Sequence, residues 1–223
     1  MISWSKATLY PLSHPTQTTP GRVIAWGDNS ENQLDAPEDL KDVIQISSGS
    51  RTTLALKANG TVAVWGIHKN AWGQQIAALK DIKSIACGES HYLALKNDGT
   101  LISSDKIPEG LDNVIQISAR GYHNLALKSE GTVVAWGTND DKQCEVPAGL
   151  NNVLAVSAGN KHSLALKNDG TVVVWGKDSN RETSGRYYGF PRDLQDVVAI
   201  DADLDFNLAL KKDGTVIAWG RNI

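Results

Sequence analysis

The 223-residue sequence predicts an all-β chain built from a repeated unit, and three observations carry that prediction. A Trp-Gly string recurs at a nearly constant interval, segments of period-two alternation precede it, and Asn-Gly or Asp-Gly pairs separate those segments. Period-two alternation marks half-buried strands, and an Asn-Gly or Asp-Gly pair between two such runs marks a hairpin, because these residues tolerate positive φ. No stretch combines helical apolar spacing with caps, so no helix is expected.

The string reads Gly-(Thr/Arg)-Val-x-x-Trp-Gly. It appears as Gly21-Arg22-Val23-Ile24-Ala25-Trp26-Gly27, again over 60–66, and in copies ending at Trp136-Gly137, Trp175-Gly176 and Trp219-Gly220. A degenerate copy over 99–105 puts Ser104 in the Trp slot, so the intervals are 39, 39, 32, 39 and 44 residues. Each later copy follows a Leu-Ala-Leu-Lys segment, at 54–57, 93–96, 125–128, 164–167 and 208–211. Ahead of that lies a run ending mostly in small residues: 43–49, 82–88, 114–120, 153–159 and 197–203. One unit is therefore three strands, and a fourth is expected after the Trp-Gly loop, near 74–76 or 144–146.

A period near 40 residues with about four short strands per unit is the pattern of a β-propeller. The small-residue strand suits the crowded axis, and the Trp suits the gap between neighbouring blades. Five full units run from Trp26 to Trp219. The orphan third strand at 21–27 needs partners from residues 1–20, where Ile2-Ser3-Trp4 and Thr8-Leu9-Tyr10 serve as degenerate strands. The expectation is one domain over 1–223, a closed monomeric ring of about six blades with 1–27 as a degenerate first blade. Five blades is the alternative.

Composition narrows function by exclusion. With 22 Lys+Arg against 25 Asp+Glu the formal charge is −3, which disfavours a nucleic-acid binder that relies on neutralising phosphates. No apolar run is long enough to span a membrane. The start, Met1-Ile2-Ser3-Trp4-Ser5-Lys6, lacks the order of a signal peptide, so a cytoplasmic location is expected. Cys87 and Cys144 make neither a disulfide framework nor a zinc site. The G-x-S-x-G, H-E-x-x-H, C-x-x-C and phosphate-loop patterns are all missing, so neither an enzyme nor a cofactor is expected. Asp201-Ala202-Asp203-Leu204-Asp205 looks like the start of a calcium loop, but Phe206 and Lys212 stand where that loop needs Gly and Glu, so no metal is expected.

The stretch 136–172 carries one pattern nearly whole: Trp136-Gly137, Asn139, Gln143, Val146-Pro147, Leu150, Val153, Ala158-Gly159, His162, Leu164-Ala165-Leu166-Lys167 and Asp169-Gly170-Thr171. This resembles the regulator of chromosome condensation repeat, in a compact form similar to the propeller-type beta-lactamase inhibitory proteins of bacteria. The resemblance implies a propeller that binds another protein. It implies either inhibition of a partner enzyme or guanine-nucleotide exchange on a small GTPase.

What recurs in every unit is structural. His91, His123 and His162 share one slot with Thr52 and Phe206, so a structural hydrogen-bonding role is expected for them rather than a metal or catalytic one. What varies is informative. Strand direction alternates within a blade, so the loop after the first strand and the loop after Trp-Gly share one face. That face differs from unit to unit and holds seven of the fourteen aromatics: Trp72, Tyr92, Tyr122, Tyr187, Tyr188, Phe190 and Phe206. Interface hot spots favour Trp, Tyr and Arg. The candidate partner-binding residues are therefore Arg51, Trp72, Glu89, Tyr92, Tyr122, Lys161, Arg186, Tyr187, Tyr188, Asp205 and Phe206. Loop order places Trp72 beside Glu89 and Tyr92, and Tyr187 and Tyr188 beside Asp205 and Phe206. A carbohydrate-binding propeller is a further alternative, although identical sugar sites would need the same aromatic in each loop.

Overall fold

The computed structural model describes residues 23–177, 190–191 and 194–220. Among the described residues, fifteen strands form five antiparallel three-stranded sheets, each in sequence order. The sheets are β1 (Val43–Ser48), β2 (Thr52–Lys57), β3 (Val62–Gly66); β4 (Ile82–Cys87), β5 (Tyr92–Lys96), β6 (Leu101–Ser103); β7 (Val114–Arg120), β8 (His123–Lys128), β9 (Val133–Gly137); β10 (Val153–Ala158), β11 (His162–Lys167), β12 (Val172–Gly176); and β13 (Val197–Ala202), β14 (Phe206–Lys211), β15 (Val216–Gly220). One helix, α1 (Lys69–Ala77), follows β3. Two compact units divide the chain, one containing the first two sheets and α1, the other containing the last three sheets.

Local chemistry repeats from sheet to sheet. The hairpin joining β2 to β3 is closed by the Gly60 N–H donating to the Lys57 carbonyl at 2.9 Å. Gly60 alone takes positive φ (76°), so the loop is a three-residue turn rather than the two-residue turn expected from Asn-Gly. Asn59 contributes its side chain instead: Oδ1 accepts the Thr61 N–H at 3.1 Å and its hydroxyl at 2.7 Å. Asp98 and Asp169 do the same for Thr100 and Thr171. The Thr171 hydroxyl and N–H hold the Asp169 carboxyl down at about 2.

Each innermost strand is bulged at its second residue. The bulge follows a left-handed residue in every sheet: Asp42, Asp81, Asn113, Asn152 or Asp196. Such residues are the Asp and Asn types that tolerate this conformation best.

Within each unit, neighbouring sheets are tied through the innermost strands. In the first unit Gln45 forms a pair of bonds with the Ile85 backbone (3.0 and 3.1 Å), and the Ser47 hydroxyl accepts the Cys87 N–H at 3.0 Å. In the second unit Gln116 pairs with the Val156 backbone in the same way, while Ser118 and Ser157 accept the N–H groups of Ala158 and Ala202. These backbone groups face a neighbouring sheet instead of a ladder partner, and the side chains satisfy them.

The recurrent Trp fills the gap between neighbouring sheets at Trp175, between the third and fourth, while Trp65 packs against Val23, Ala36 and Leu40. Trp65 and Trp175 are buried, and their indole N–H groups donate to the carbonyls of Gln33 and Gln143 at 2.8 Å. Those Gln residues sit in loops that Asn29 and Asn139 brace by accepting the N–H groups of Leu34 and Cys144. The Asn and Gln of the sequence pattern are thus scaffolding for the Trp acceptor. The segment ahead of Trp136 is shorter and lacks this loop, and the Trp136 indole N–H has no acceptor among the described residues.

Three expectations are corrected. Residues 74–76 lie in α1, not in a fourth strand: Trp72 and Ile76, four residues apart, turn one helical face into the core of the first unit. Residues 144–146 form no strand, because the chain there is turned by the Val146 N–H donating to the Cys144 carbonyl. Residues 23–26 are not a paired strand, and Ile24 and Trp26 stand 73% and 74% exposed. The strands expected at 1–20 lie outside the described residues. Five sheets are seen among the described residues, the number of the alternative expectation.

Candidate functional site

The varied loops follow the innermost strands. In the second unit they are 120–122, 159–161 and 203–205, and they lie against one another. Gly121 approaches Asn160 so closely that a Cβ there would collide with its carbonyl oxygen. Asn160 in turn donates its N–H to the Leu204 carbonyl at 3.3 Å. The result is one continuous surface with Tyr122 55% and Leu204 41% exposed.

Charge flanks these apolar groups. Lys161 pairs with Asp141 at 3.2 Å, on the same face, and Asp205 follows Leu204 half-buried. Beneath the loops, the Arg120 guanidinium and the Asp203 carboxylate form a buried ion pair. Asp203 also accepts the Leu204 N–H at 2.8 Å, and its own N–H donates to the Phe206 carbonyl, so the ion pair is tied into the loop's backbone. Phe206 begins β14 and is half-buried.

The shared His slot is structural where its contacts are seen. His123 Nε2 lies 3.0 Å from the Ser163 hydroxyl, and His162 Nε2 lies 2.7 Å from Asn207 Oδ1, each joining one middle strand to the next. Among the described residues no group of three His, Cys, Asp or Glu side chains is placed to hold a metal ion, and no helix is long and apolar enough to cross a membrane.

In the first unit the outcome differs. Arg51 is exposed and pairs with Glu31 at 3.4 Å, and Glu89 is half-buried in the next loop. Trp72 does meet Tyr92, with ring centroids 5.4 Å apart, but the contact lies in the core: the two are 6% and 2% exposed. The Tyr92 hydroxyl donates to Gln75 Oε1, and burial pushes its pKa upward. His68 stacks on the Trp72 ring with centroids 4.2 Å apart. The expectation of Trp72 and Tyr92 as exposed anchors is therefore corrected, because a helical loop folds its aromatic inward. Arg186, Tyr187 and Tyr188 lie outside the described residues. Phe190 packs edge-on against Trp219 at 5.7 Å, as core.

Two features escaped the sequence reading. Leu204 carries neither the ring nor the charge that marks the other candidates in sequence. The ion pair had a legible signal: Arg120 and Asp203 are the two residues, opposite in charge, that replace Gly49, Gly88 and Gly159 at the end of the small-residue run.

Comparison with known proteins fits this architecture. The family model described as the Regulator of chromosome condensation (RCC1) repeat matches residues 43–74, 82–104, 114–143 and 153–182, just over half of the chain. Comparison with curated proteins finds no match. Among solved structures, the chain resembles the ectodomain of the receptor kinase CR4 from Physcomitrella patens, with 21% identity and a TM-score of 0.67 over 88% of this chain and 55% of that one. It resembles human WBSCR16 with 20% identity and a TM-score of 0.62, over 81% of this chain and 62% of that one. It also resembles Prp20p from Saccharomyces cerevisiae, a structure described together with its binding to Gsp1p and histones. There the identity is 19% and the TM-score 0.61, over 83% of this chain and 58% of that one. The chain thus spans less than two thirds of each of these proteins, and at such identities the likeness speaks for the fold. Each sheet is a blade of the β-propeller type, and the chain belongs to the regulator of chromosome condensation repeat family.

Proposed function

We propose that this chain is a non-catalytic protein-binding module whose second unit meets its partner through the loops at 120–122, 159–161 and 203–205. One observation carries the reading: these loops pack into a continuous surface that leaves Tyr122 and Leu204 exposed between charged neighbours. A folded chain gains nothing by exposing such groups together, whereas an apolar centre with a charged rim suits a protein interface. Arg51 and Glu89 extend the same class of loops in the first unit, and Arg186, Tyr187 and Tyr188 belong to the proposed surface by sequence position. Inhibition of a partner enzyme is one outcome of such binding. Nucleotide exchange on a small GTPase is the second reading, favoured by the likeness to Prp20p, whose structure is described with its binding to Gsp1p.

The test is affinity capture from the source organism's lysate with wild type and a Tyr122→Ala/Leu204→Ala variant as baits. A protein held by wild type and lost by the folded variant is the expected result. An unchanged capture profile would sink the proposed face. Accelerated nucleotide release from a captured GTPase would select the exchange reading over inhibition.

A further inference from the structure

Three residues of the second unit break the repeat, and they break it in one place. Gly49, Gly88 and Gly159 follow three of the innermost strands, and a Cβ on Gly88 or Gly159 would collide with the ring of His91 or His162. Arg120 and Asp203 occupy that position in the other two sheets. Two residues before it stand Ser47, Ser118 and Ser157, each accepting the backbone N–H of the neighbouring innermost strand. The last sheet has Asp201 there instead.

These departures are joined. The Arg120 and Asp203 side chains, 8% and 4% exposed, form an ion pair linking β7 to the end of β13 past the intervening β10. Asp201 lies two residues before Asp203 in β13, and the N–H that follows it, that of Ala202, donates to the Ser157 hydroxyl of β10 at 2.9 Å. From β11, His162 acts on Asp203 while bonded to Asn207 of β14.

We infer that Asp201, Asp203 and Arg120 form an acid-tightened lock beneath the loops that carry Tyr122 and Leu204. Asp203 is buried against the guanidinium, and Asp201, half-buried two residues earlier in β13, brings a second carboxylate beside that pair. With both ionised, one negative charge lacks compensation in a site shielded from water; with Asp201 neutral, a matched Arg–Asp pair remains. Burial, and then the neighbouring Asp203, push the Asp201 pKa from 3.8 up to about 6, while Arg120 and Ser157 oppose the rise. Because the folded value lies above the unfolded one, the folded state holds the proton more tightly. Stability therefore rises as pH falls through 6 and levels off below the unfolded value. The lock itself stands apart from what the loops bind, whereas its control of binding rests on the function proposed above.

The experiment needs no partner. Urea unfolding and hydrogen-exchange protection of amides 120–123 and 203–206 are followed between pH 7.5 and 5 for wild type, Asp201→Ser and Asp201→Asn. Serine is the residue that three other sheets tolerate in this slot, and asparagine keeps the shape of the carboxylate. Wild type is expected to gain roughly tenfold in folding constant over that range relative to either variant, with the loop amides gaining protection in step. Both variants should exceed wild type in stability at pH 7.5. Parallel pH profiles for all three proteins, or variants less stable than wild type at pH 7.5, would overturn the lock. Loss of partner capture by Tyr122→Ala/Leu204→Ala is a separate result and bears only on the binding face.

Discussion

The loop after β3 and the loops of the second unit both depart from the repeat, both carry an aromatic residue, and they use it in opposite ways. In the first, eleven residues from Ile67 to Ala77 are enough to close a helix, and Trp72 and Ile76 turn inward to meet Tyr92. In the second, only Gly121 and Tyr122 separate β7 from β8 and have no length to fold back, so Tyr122 stays in solvent. Loop length decides whether an aromatic becomes core or surface. An aromatic in a varied loop is thus no binding anchor until the space beneath it is known to be full.

Breaking the inward-turned aromatic should have the largest effect. Trp72→Ala removes a buried ring from contact with Tyr92 and His68, and large-to-small changes of this kind cost about 3–5 kcal/mol. The expected outcome is a sharp fall in melting temperature, with capture of a partner by the second unit unchanged below the melt. A variant that melts like wild type would show that α1 does not hold the core of its unit.

Next is the tie between sheets. Gln116 is the only side chain satisfying the Val156 N–H and carbonyl among the described contacts, and Gln116→Ala leaves both without it. The loss should be about 2–3 kcal/mol, read in urea unfolding. Tyr122→Ala sharpens the comparison from the other side. It is expected to weaken partner binding by about 2 kcal/mol, roughly thirtyfold in dissociation constant, while leaving stability within about 0.5 kcal/mol. A Tyr122→Ala protein that loses stability instead would place the ring in the core with Trp72.

Most of the architecture was legible because each unit repeats the same local rules. Period-two alternation placed the innermost and middle strands, Gly60 and its equivalents placed the turns, and the Trp-Gly pair placed the wedge at Trp175. Helix α1 was not legible: its apolar contacts, Trp72 and Ile76, are too few to form a stripe, and only tertiary packing selects helix over strand there. Nor was the bonding between sheets. Gln45 and Gln116 occur at the same step of two units, but their partners lie 40 residues away and are fixed by register rather than by local sequence. At the site, sequence position put Trp72 and Tyr122 in one class because burial is not a property of a loop's residues alone.

The smallest effect concerns the turns between middle and third strands, where the first and fourth sheets offer a matched pair. Asn59 and Asp169 accept the same two bonds from the following Thr, at 3.1 and 2.7 Å in one turn and 3.0 and 2.6 Å in the other. Only Asp169 can be titrated. Its carboxyl is held at about 2 against an ordinary 3.8, first by the Thr171 hydroxyl and then by the Thr171 N–H. A depressed folded value means that the turn's contribution is complete above the unfolded pKa and is lost as pH falls toward 2. Asp169→Asn should therefore keep the turn, as Asn59 does naturally, and should flatten the local response to acid between pH 4 and about 2. The measurement is the pH dependence of the Thr171 amide resonance in wild type and variant, with Thr61 as the internal standard that does not move. If Thr171 shifts equally in both proteins, the turn is not what holds the Asp169 proton off, and the likeness of the two turns ends at their geometry.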